Sequence, residues 1–361
     1  MKTHYESDAP AYLRLYRRLR DDIVGGIYPY GSRLPSKRTV AEEAGLSVMT
    51  VEHAYALLCD EGYAEARERS GFFVLFRPSD GFAGAAAPRT ARPSVPPRRE
   101  ARDRTLFPFS SLAKAMRRVL ADCGEGILER SPNEGMPELR EALARYLARS
   151  RGIRAATEQI VVGSGSEYLY RLLIDLLGRD RSYAFESPSY KKIEQVYRAS
   201  GVRSEPLPLG PDGIETSALW RSSADVLHIS PYRSFPSGVT ASASKRHEYL
   251  RWAAGGDRFL IEDDFESEFS VSRKPEETLF ALTDAENVLY LNTFSQTISP
   301  ALRMGYLVLP RHLLPAFRER VGFYSCTVPT FEQLLIASLI ESGEFERHIN
   351  RVRRARRAEN R

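Results

Sequence analysis

The chain has 361 residues, 42% hydrophobic, 27% charged and 10% aromatic, which is the balance of a folded globular protein of two or three domains rather than a disordered or fibrous one. Mean hydropathy is −0.37, and no apolar run approaches the ~20 residues a membrane-crossing helix needs. The formal charge of +5 permits a nucleic-acid partner without demanding one. The start, MKTHYESDAPAYLRLYRR, has no apolar core segment or small-residue cleavage site, so it does not read as a secretory signal and a cytoplasmic location is expected. Cys59, Cys123 and Cys326 are widely separated, with no CxxC pair to suggest zinc or a disulfide framework. His53, His228 and His348 share no metal-ligand spacing, so no metal site is expected.

Charge is unevenly placed. Residues 1–78 hold 11 Lys and Arg against 11 Asp and Glu, whereas residues 347–361 hold seven Arg against one Glu. A basic terminal segment of this kind reads equally as a solvated helix face or as a nucleic-acid contact.

In the first segment, Tyr12, Leu15, Tyr16, Leu19 and Ile23 recur at helical steps up to Gly25 and Gly26. A second helix is expected after Ser36 as N-cap, with Val40 and Ala41 inward and a stop at Gly45. A third is expected after Ser47, with Val51, Ala54, Tyr55, Leu57 and Leu58 inward, ending near Gly62. Tyr63–Arg67 and Phe72–Phe76 then read as two strands joined by a short turn. Three helices followed by a hairpin predict a winged helix-turn-helix, whose third helix would enter the major groove. A small helical interaction module is the alternative.

Residues 78–104, rich in Pro, Ala, Gly and Arg with no apolar period, read as a linker. The expected organisation is therefore a DNA-binding domain over 1–77, the linker over 78–104 and a large domain over 105–361. From Leu106 onward, helical stretches alternate with short apolar runs: QIVVGS, SYAFES, ADVLHIS, FLIEDD, VLYLNT and GYLVLP. That alternation predicts an α/β domain with a mainly parallel sheet, which binds ligands at the carboxyl ends of its strands. Four such ends carry polar residues: GSGSE at 163–167, ESPSY at 186–190, EDDF at 262–265 and TFSQTISPALRMGY at 293–306.

Two resemblances follow. The stretch GSRLPSKRTVAEEAGLSVMTVEHAYALLCDEGYAEARERSGFFV resembles the GntR-type winged-helix DNA-binding domain, with LPSKR, the Ser-x-x-Thr-Val helix start, EGY and SGFFV as its signatures. It implies a double-stranded DNA partner and a DNA-facing set of Ser36, Lys37, Arg38, Ser47, Thr50, His53 and the wing residues Arg69, Ser70 and Gly71. In that family an Arg usually follows the capping Ser, where this sequence has Val48; Glu52 and His53 stand exposed beyond it. The later segments, SPNEGMPELREAL, EQIVVGSGS, FPSGVT, IEDDFESEF and SPALRMGYLVLP, resemble the fold-type I pyridoxal-phosphate aminotransferases. The whole resembles the MocR subfamily of transcriptional regulators.

The second resemblance implies that backbone N–H groups of Ser166 and Glu167, the Thr293 hydroxyl and the Arg303 guanidinium hold the phosphate of pyridoxal 5′-phosphate. Tyr190 would pack near the ring and Asp263 would face the pyridine nitrogen. Three departures surround that ring. Gln296 stands at the family's Schiff-base lysine, Phe265 replaces a Tyr, and Tyr-Arg-Ser at 232–234 replaces Ser-His-Gln. A carboxamide is not a nucleophilic amine, so no covalent aldimine and no catalytic residue are expected, and the cofactor is expected to be noncovalent or lost. The basic segment matches the start of a helix leading to the family's C-terminal small domain, so the large domain is expected to be truncated there. The leading expectation is a DNA-binding regulator that forms a homodimer and senses a small-molecule effector. An aminotransferase-like enzyme, or an inactive or truncated dimerisation partner, remains the alternative.

Overall fold

A computed structural model describes residues 10–68, 70–77, 107–270, 277–283 and 286–359. The expected linker, 78–104, and the wing residue Arg69 lie outside the described residues. The chain divides into two compact units, Met1–Pro97 and Arg98–Arg361.

The first unit is built from α1 (Ala11–Val24), α2 (Lys37–Ala44), α3 (Val48–Asp60) and a hairpin of β1 (Ala64–Arg67) and β2 (Gly71–Val74). Ser36 caps α2 by accepting the Thr39 N–H at 3.2 Å, and Ser47 caps α3 by accepting the Thr50 N–H at 3.1 Å. Gly45, with φ +65°, closes α2 in the left-handed conformation that glycine adopts without strain. The apolar stripes meet in one core of Leu15, Leu19, Ile23, Val51, Ala54, Tyr55 and Leu58, all buried. Leu57, expected inward, is half-buried at its edge. The strands are shorter than their apolar runs because pairing spans only Ala64↔Val74 to Arg67↔Gly71. The segment Gly31–Leu34 lies along the other edge of β2, with Leu34 N–H donating to Phe72 O at 2.8 Å and Val74 N–H to Ser32 O at 2.9 Å.

The second unit opens with α4 (Phe109–Cys123) and α5 (Pro137–Ser150) and is then organised on one eight-stranded sheet. In chain order its elements are β3 (Ile160–Gly163), α6 (Ser166–Leu177), β4 (Ser182–Ser187), α7 (Lys191–Ala199), β5 (Arg203–Gly210), β6 (Gly213–Ile214), α8 (Thr216–Arg221) and β7 (Val226–Ile229). They continue with α9 (Ala243–Ala253), β8 (Phe259–Asp263), α10 (Leu279–Leu282), β9 (Val288–Thr293), β10 (Gly305–Val308), α11 (Leu314–Arg320), α12 (Thr330–Glu341) and α13 (Glu344–Glu359). The spatial order is β3-β10-β9-β8-β7-β4-β5-β6. Strands β9, β8, β7, β4 and β5 run parallel, while β10 is antiparallel to both neighbours and β6 is antiparallel to β5.

Both sheet faces are covered, which is why the strand runs are almost uninterruptedly apolar. Successive strand residues serve opposite cores: Val161, Leu291 and Leu307 pack with α6, α7 and α11, whereas Val162, Tyr290 and Tyr306 pack with α5, α12 and α13. Trp252 and Tyr249 of α9 fill a third cluster under β7 and β8. β3, antiparallel to β10, runs in the same direction as the five parallel strands, so the carboxyl ends line up along one edge, and the four polar turns singled out in the sequence gather there.

Candidate functional site

In the first unit, Arg38 is exposed on the first turn of α2 and pairs with no side chain among the described residues. Its neighbour Lys37 does pair: Nζ lies 2.6 Å from Glu52 Oε1 on α3, a contact that holds the Glu52 carboxyl below its ordinary range. Thr50 is half-buried with its hydroxyl 2.8 Å from Ser47 Oγ, and His53 is exposed with its ring edge against Tyr12, centroids 5.8 Å apart. Ser70 sits in the hairpin turn, its N–H donating to Arg67 O at 3.0 Å. Gly71 has φ +104°, and a Cβ there would stand 3.0 Å from Arg33 Nε. Arg33 thus adds a cation beside the wing that sequence spacing had not revealed. At the start of α3, Val48 and Met49 are 46% and 63% exposed, so an apolar pair occupies the usual place of the family's Arg.

In the second unit, a cleft of about 430 Å³ opens at the carboxyl edge of the sheet. Ser166, Tyr190, Asp263, Thr293, Gln296 and Arg303 all line it. They come from the four turns, so the fold brings together residues up to 137 positions apart, from Ser166 to Arg303. Glu167 does not line the cleft; its carboxylate accepts from Arg303 Nη2 at 2.5 Å and lies 3.3 Å from Lys192 Nζ. Arg303 itself takes φ +44°, the one non-glycine residue with positive φ among the described residues. Gly165 enters α6 with φ +90°, and a Cβ there would press to 3.1 Å from the Arg303 guanidinium. A bare backbone is therefore what lets the arginine lie over the helix N-terminus, which no side chain caps.

Asp263, 3% exposed at the end of β8, forms the floor. Its Oδ2 accepts from the Tyr170 hydroxyl at 2.5 Å and lies 3.4 Å from His228 Nε2, while His228 Nδ1 lies 2.7 Å from the Tyr197 hydroxyl. Burial, then Asp263, push the Tyr170 hydroxyl well above its ordinary range, so it stays a donor. Oδ1 of Asp263 has no hydrogen-bond partner among the described residues. Beside the floor, Glu186 is buried under Ser230 N–H at 3.0 Å and Ser234 Oγ at 2.7 Å, and burial raises its carboxyl to about 7.

Known proteins match this arrangement over most of its length. Residues 11–74 match the gntR family of bacterial regulatory proteins, and residues 101–361 match aminotransferase class I and II. An uncharacterized HTH-type transcriptional regulator of Bacillus subtilis, YdeL, is 32% identical over 96% of this chain and 77% of its own. The probable rhizopine catabolism regulatory protein MocR of Rhizobium meliloti is 30% identical over 97% and 75%. The chain belongs to the GntR/MocR-type transcriptional regulators.

The large domain of this MocR-type regulator has the aminotransferase fold. A solved archaeal alanine:glyoxylate aminotransferase superposes with a TM-score of 0.62 at 22% identity, covering 68% of this chain and 63% of that one. LysN, an alpha-aminoadipate aminotransferase of Thermus thermophilus complexed with N-(5′-phosphopyridoxyl)-L-leucine, superposes with a TM-score of 0.60 at 28% identity, covering 69% and 64%. The regulator thus spans under two thirds of the length of these solved chains.

Pyridoxal 5′-phosphate, the cofactor of that fold, suits the residues present. An unpartnered, buried carboxylate oxygen calls for an N–H donor, and the pyridinium nitrogen is one. Sequence spacing had missed Tyr170, His228 and Glu266, which complete the cleft and its floor. Tyr170 was discernible only as the residue one helical turn beyond Ser166.

Proposed function

We propose that this regulator reads duplex DNA through its winged domain and uses the aminotransferase-like domain as a sensor that binds pyridoxal 5′-phosphate without a covalent bond. The supporting observation is the composition of the cleft wall: no lysine lines it among the described residues, and Gln296 stands among the lining groups. When bound, the cofactor supplies an electrophilic aldehyde on an electron-withdrawing ring. In this reading Ser166, Thr293 and Arg303 bind its phosphate, Tyr190 packs on the ring, and Asp263, fixed by Tyr170 and His228, holds the proton on the ring nitrogen. Gln296 offers only a neutral amide where covalent attachment needs an amine, so the domain is not a transaminase.

The reading places 1–77, 78–104 and 105–361 as reader, tether and sensor in a cytoplasmic homodimer, with two readers meeting two half-sites. A ligand that favours one arrangement of the domains over another shifts how the readers fit DNA.

Titrating the full-length protein with pyridoxal 5′-phosphate tests the sensor. The expected result is saturable binding that dialysis reverses and borohydride does not fix. Gln296→Lys is expected to gain an imine absorbance that borohydride makes permanent. Wild-type protein that keeps the cofactor after reduction would show that some lysine bonds it covalently and would overturn the reading.

A further inference from the structure

Helix α3 turns Val51, Ala54, Tyr55 and Leu58 into the core of the first unit, which leaves Val48, Met49, Glu52, His53 and Ala56 facing outward. None of these five is an Arg, Lys, Asn or Gln, the side chains that grip guanine or adenine with paired hydrogen bonds. Glu52, an acceptor suited to cytosine, is held by Lys37 Nζ at 2.6 Å. The His53 ring stands edge-on to Tyr12, and the Ser47 and Thr50 hydroxyls bond each other at 2.8 Å in the helix cap. The outer face of α3 therefore begins with two apolar side chains whose polar neighbours are already engaged.

Val48 and Met49 are the first two residues of α3, and in a helix-turn-helix the N-terminal residues of the second helix meet the base edges. Successive helical residues point about 100° apart, so the two side chains touch different base edges instead of one. Val48 is stiff about χ1, whereas Met49 is unbranched and adapts its shape. The surroundings suit a polyanion: Arg38 on α2 and Arg33 beside the wing are both exposed cations. Two side chains also offer far less than the roughly 800 Å² per partner that a stable protein interface buries. In the major groove the apolar feature is the C5-methyl group of thymine.

We infer that Val48 and Met49 set sequence preference by packing on thymine methyl groups, so that α3 selects thymine by apolar contact while hydrogen-bonding readout is left to Arg38. The inference rests on the DNA reading above and adds which base the third helix selects and by which atoms.

The full-length protein first selects its site from a random-sequence duplex library, and thymine is expected in each half-site. Gel shifts then compare the selected duplex with copies in which deoxyuridine, which lacks only the methyl, replaces those thymines one at a time. Affinity is expected to fall about fourfold per critical methyl removed. The double variant Val48→Ser, Met49→Ser is expected to bind the thymine and deoxyuridine duplexes within twofold of each other. Selected half-sites without thymine, or equal wild-type affinity for every thymine and deoxyuridine duplex, overturn the methyl contact alone, and neither result needs a variant to fold. A double variant that keeps the full preference for thymine assigns the methyl to other residues and overturns it as well. A library from which no sequence is enriched overturns the DNA reading together with the inference.

Discussion

Arg151 Nη2 lies 2.6 Å from Asp264 Oδ2, with the two side chains only 4% and 0% exposed. The Tyr290 hydroxyl donates to the same oxygen at 2.7 Å, and the guanidinium stacks over the Tyr232 ring at 4.8 Å. Asp264 is thus the structural neighbour of the cleft-lining Asp263, pointing its charge into the packing under the sheet instead of into the cleft. Removing one member of such a pair strands the other charge away from water. Arg151→Met is expected to lower unfolding free energy by about 3–5 kcal/mol in urea denaturation, and Arg151→Met with Asp264→Leu to recover most of the loss. A single variant within about 1 kcal/mol of wild type would show that the pair carries little weight.

Three buried carboxyls govern the pH response. Burial raises Glu186, Glu262 and Glu268 to about 7 from 4.5. The folded state therefore binds more protons than the unfolded chain between those values, and stability falls as pH rises through about 7. His348 acts in the opposite sense: burial, helped by Arg351, lowers it from 6.5 to about 4, so its contribution grows only up to about pH 6.5. Between about pH 6.5 and 8 the carboxyls are unopposed by it, and together they are expected to remove ~2 kcal/mol. Thermal melts across this range check the decline, and Glu186→Gln should flatten it by about a third. Melting temperatures that climb over the same interval would contradict the raised carboxyls.

DNA affinity separates the two adjacent cations of α2. Arg38, without a protein partner among the described residues, is expected to contact DNA directly, and Arg38→Ala to weaken binding by ~1–3 kcal/mol. Lys37 is held by Glu52 at 2.6 Å. Glu52→Gln should release it, tightening binding and steepening the salt slope by about 0.9. Gel shifts at several salt concentrations on DNA from upstream of the protein's own gene give both numbers. Unchanged binding by both variants would remove α2 from the DNA interface.

Assembly is checked by light scattering at micromolar concentration, where a homodimer is expected. A monomer there would leave one reader per molecule and exclude recognition of paired half-sites by this chain alone.

The parts of the structure that local rules govern were open to sequence reading. Ser36 and Ser47 cap their helices because a short side-chain acceptor satisfies an orphan N–H within three residues, and the six apolar runs became strands because both sheet faces are covered. Strand β5 escaped because Pro206 and Pro208 interrupt its run, a pattern tolerated here near the edge of the sheet. The Gly31–Leu34 edge of the wing escaped because its partners lie some 40 residues away. At the cleft, motif order located Ser166, Asp263, Thr293 and Arg303, but not the pairing of Glu266 with both Arg233 and Arg356. That pairing depends on α13 returning to the sheet, a long-range event that no window of sequence contains.

The shared oxygen of Glu266 also makes the cleft and the last helix electrical neighbours. While Arg233 and Arg356 divide one carboxylate, each holds it at reduced strength; if Arg233 leaves for another anion, the full charge reverts to Arg356 and binds α13 more firmly against the sheet. The turn after β7 and the last helix, far apart along the chain, are thereby tied through a single carboxylate oxygen.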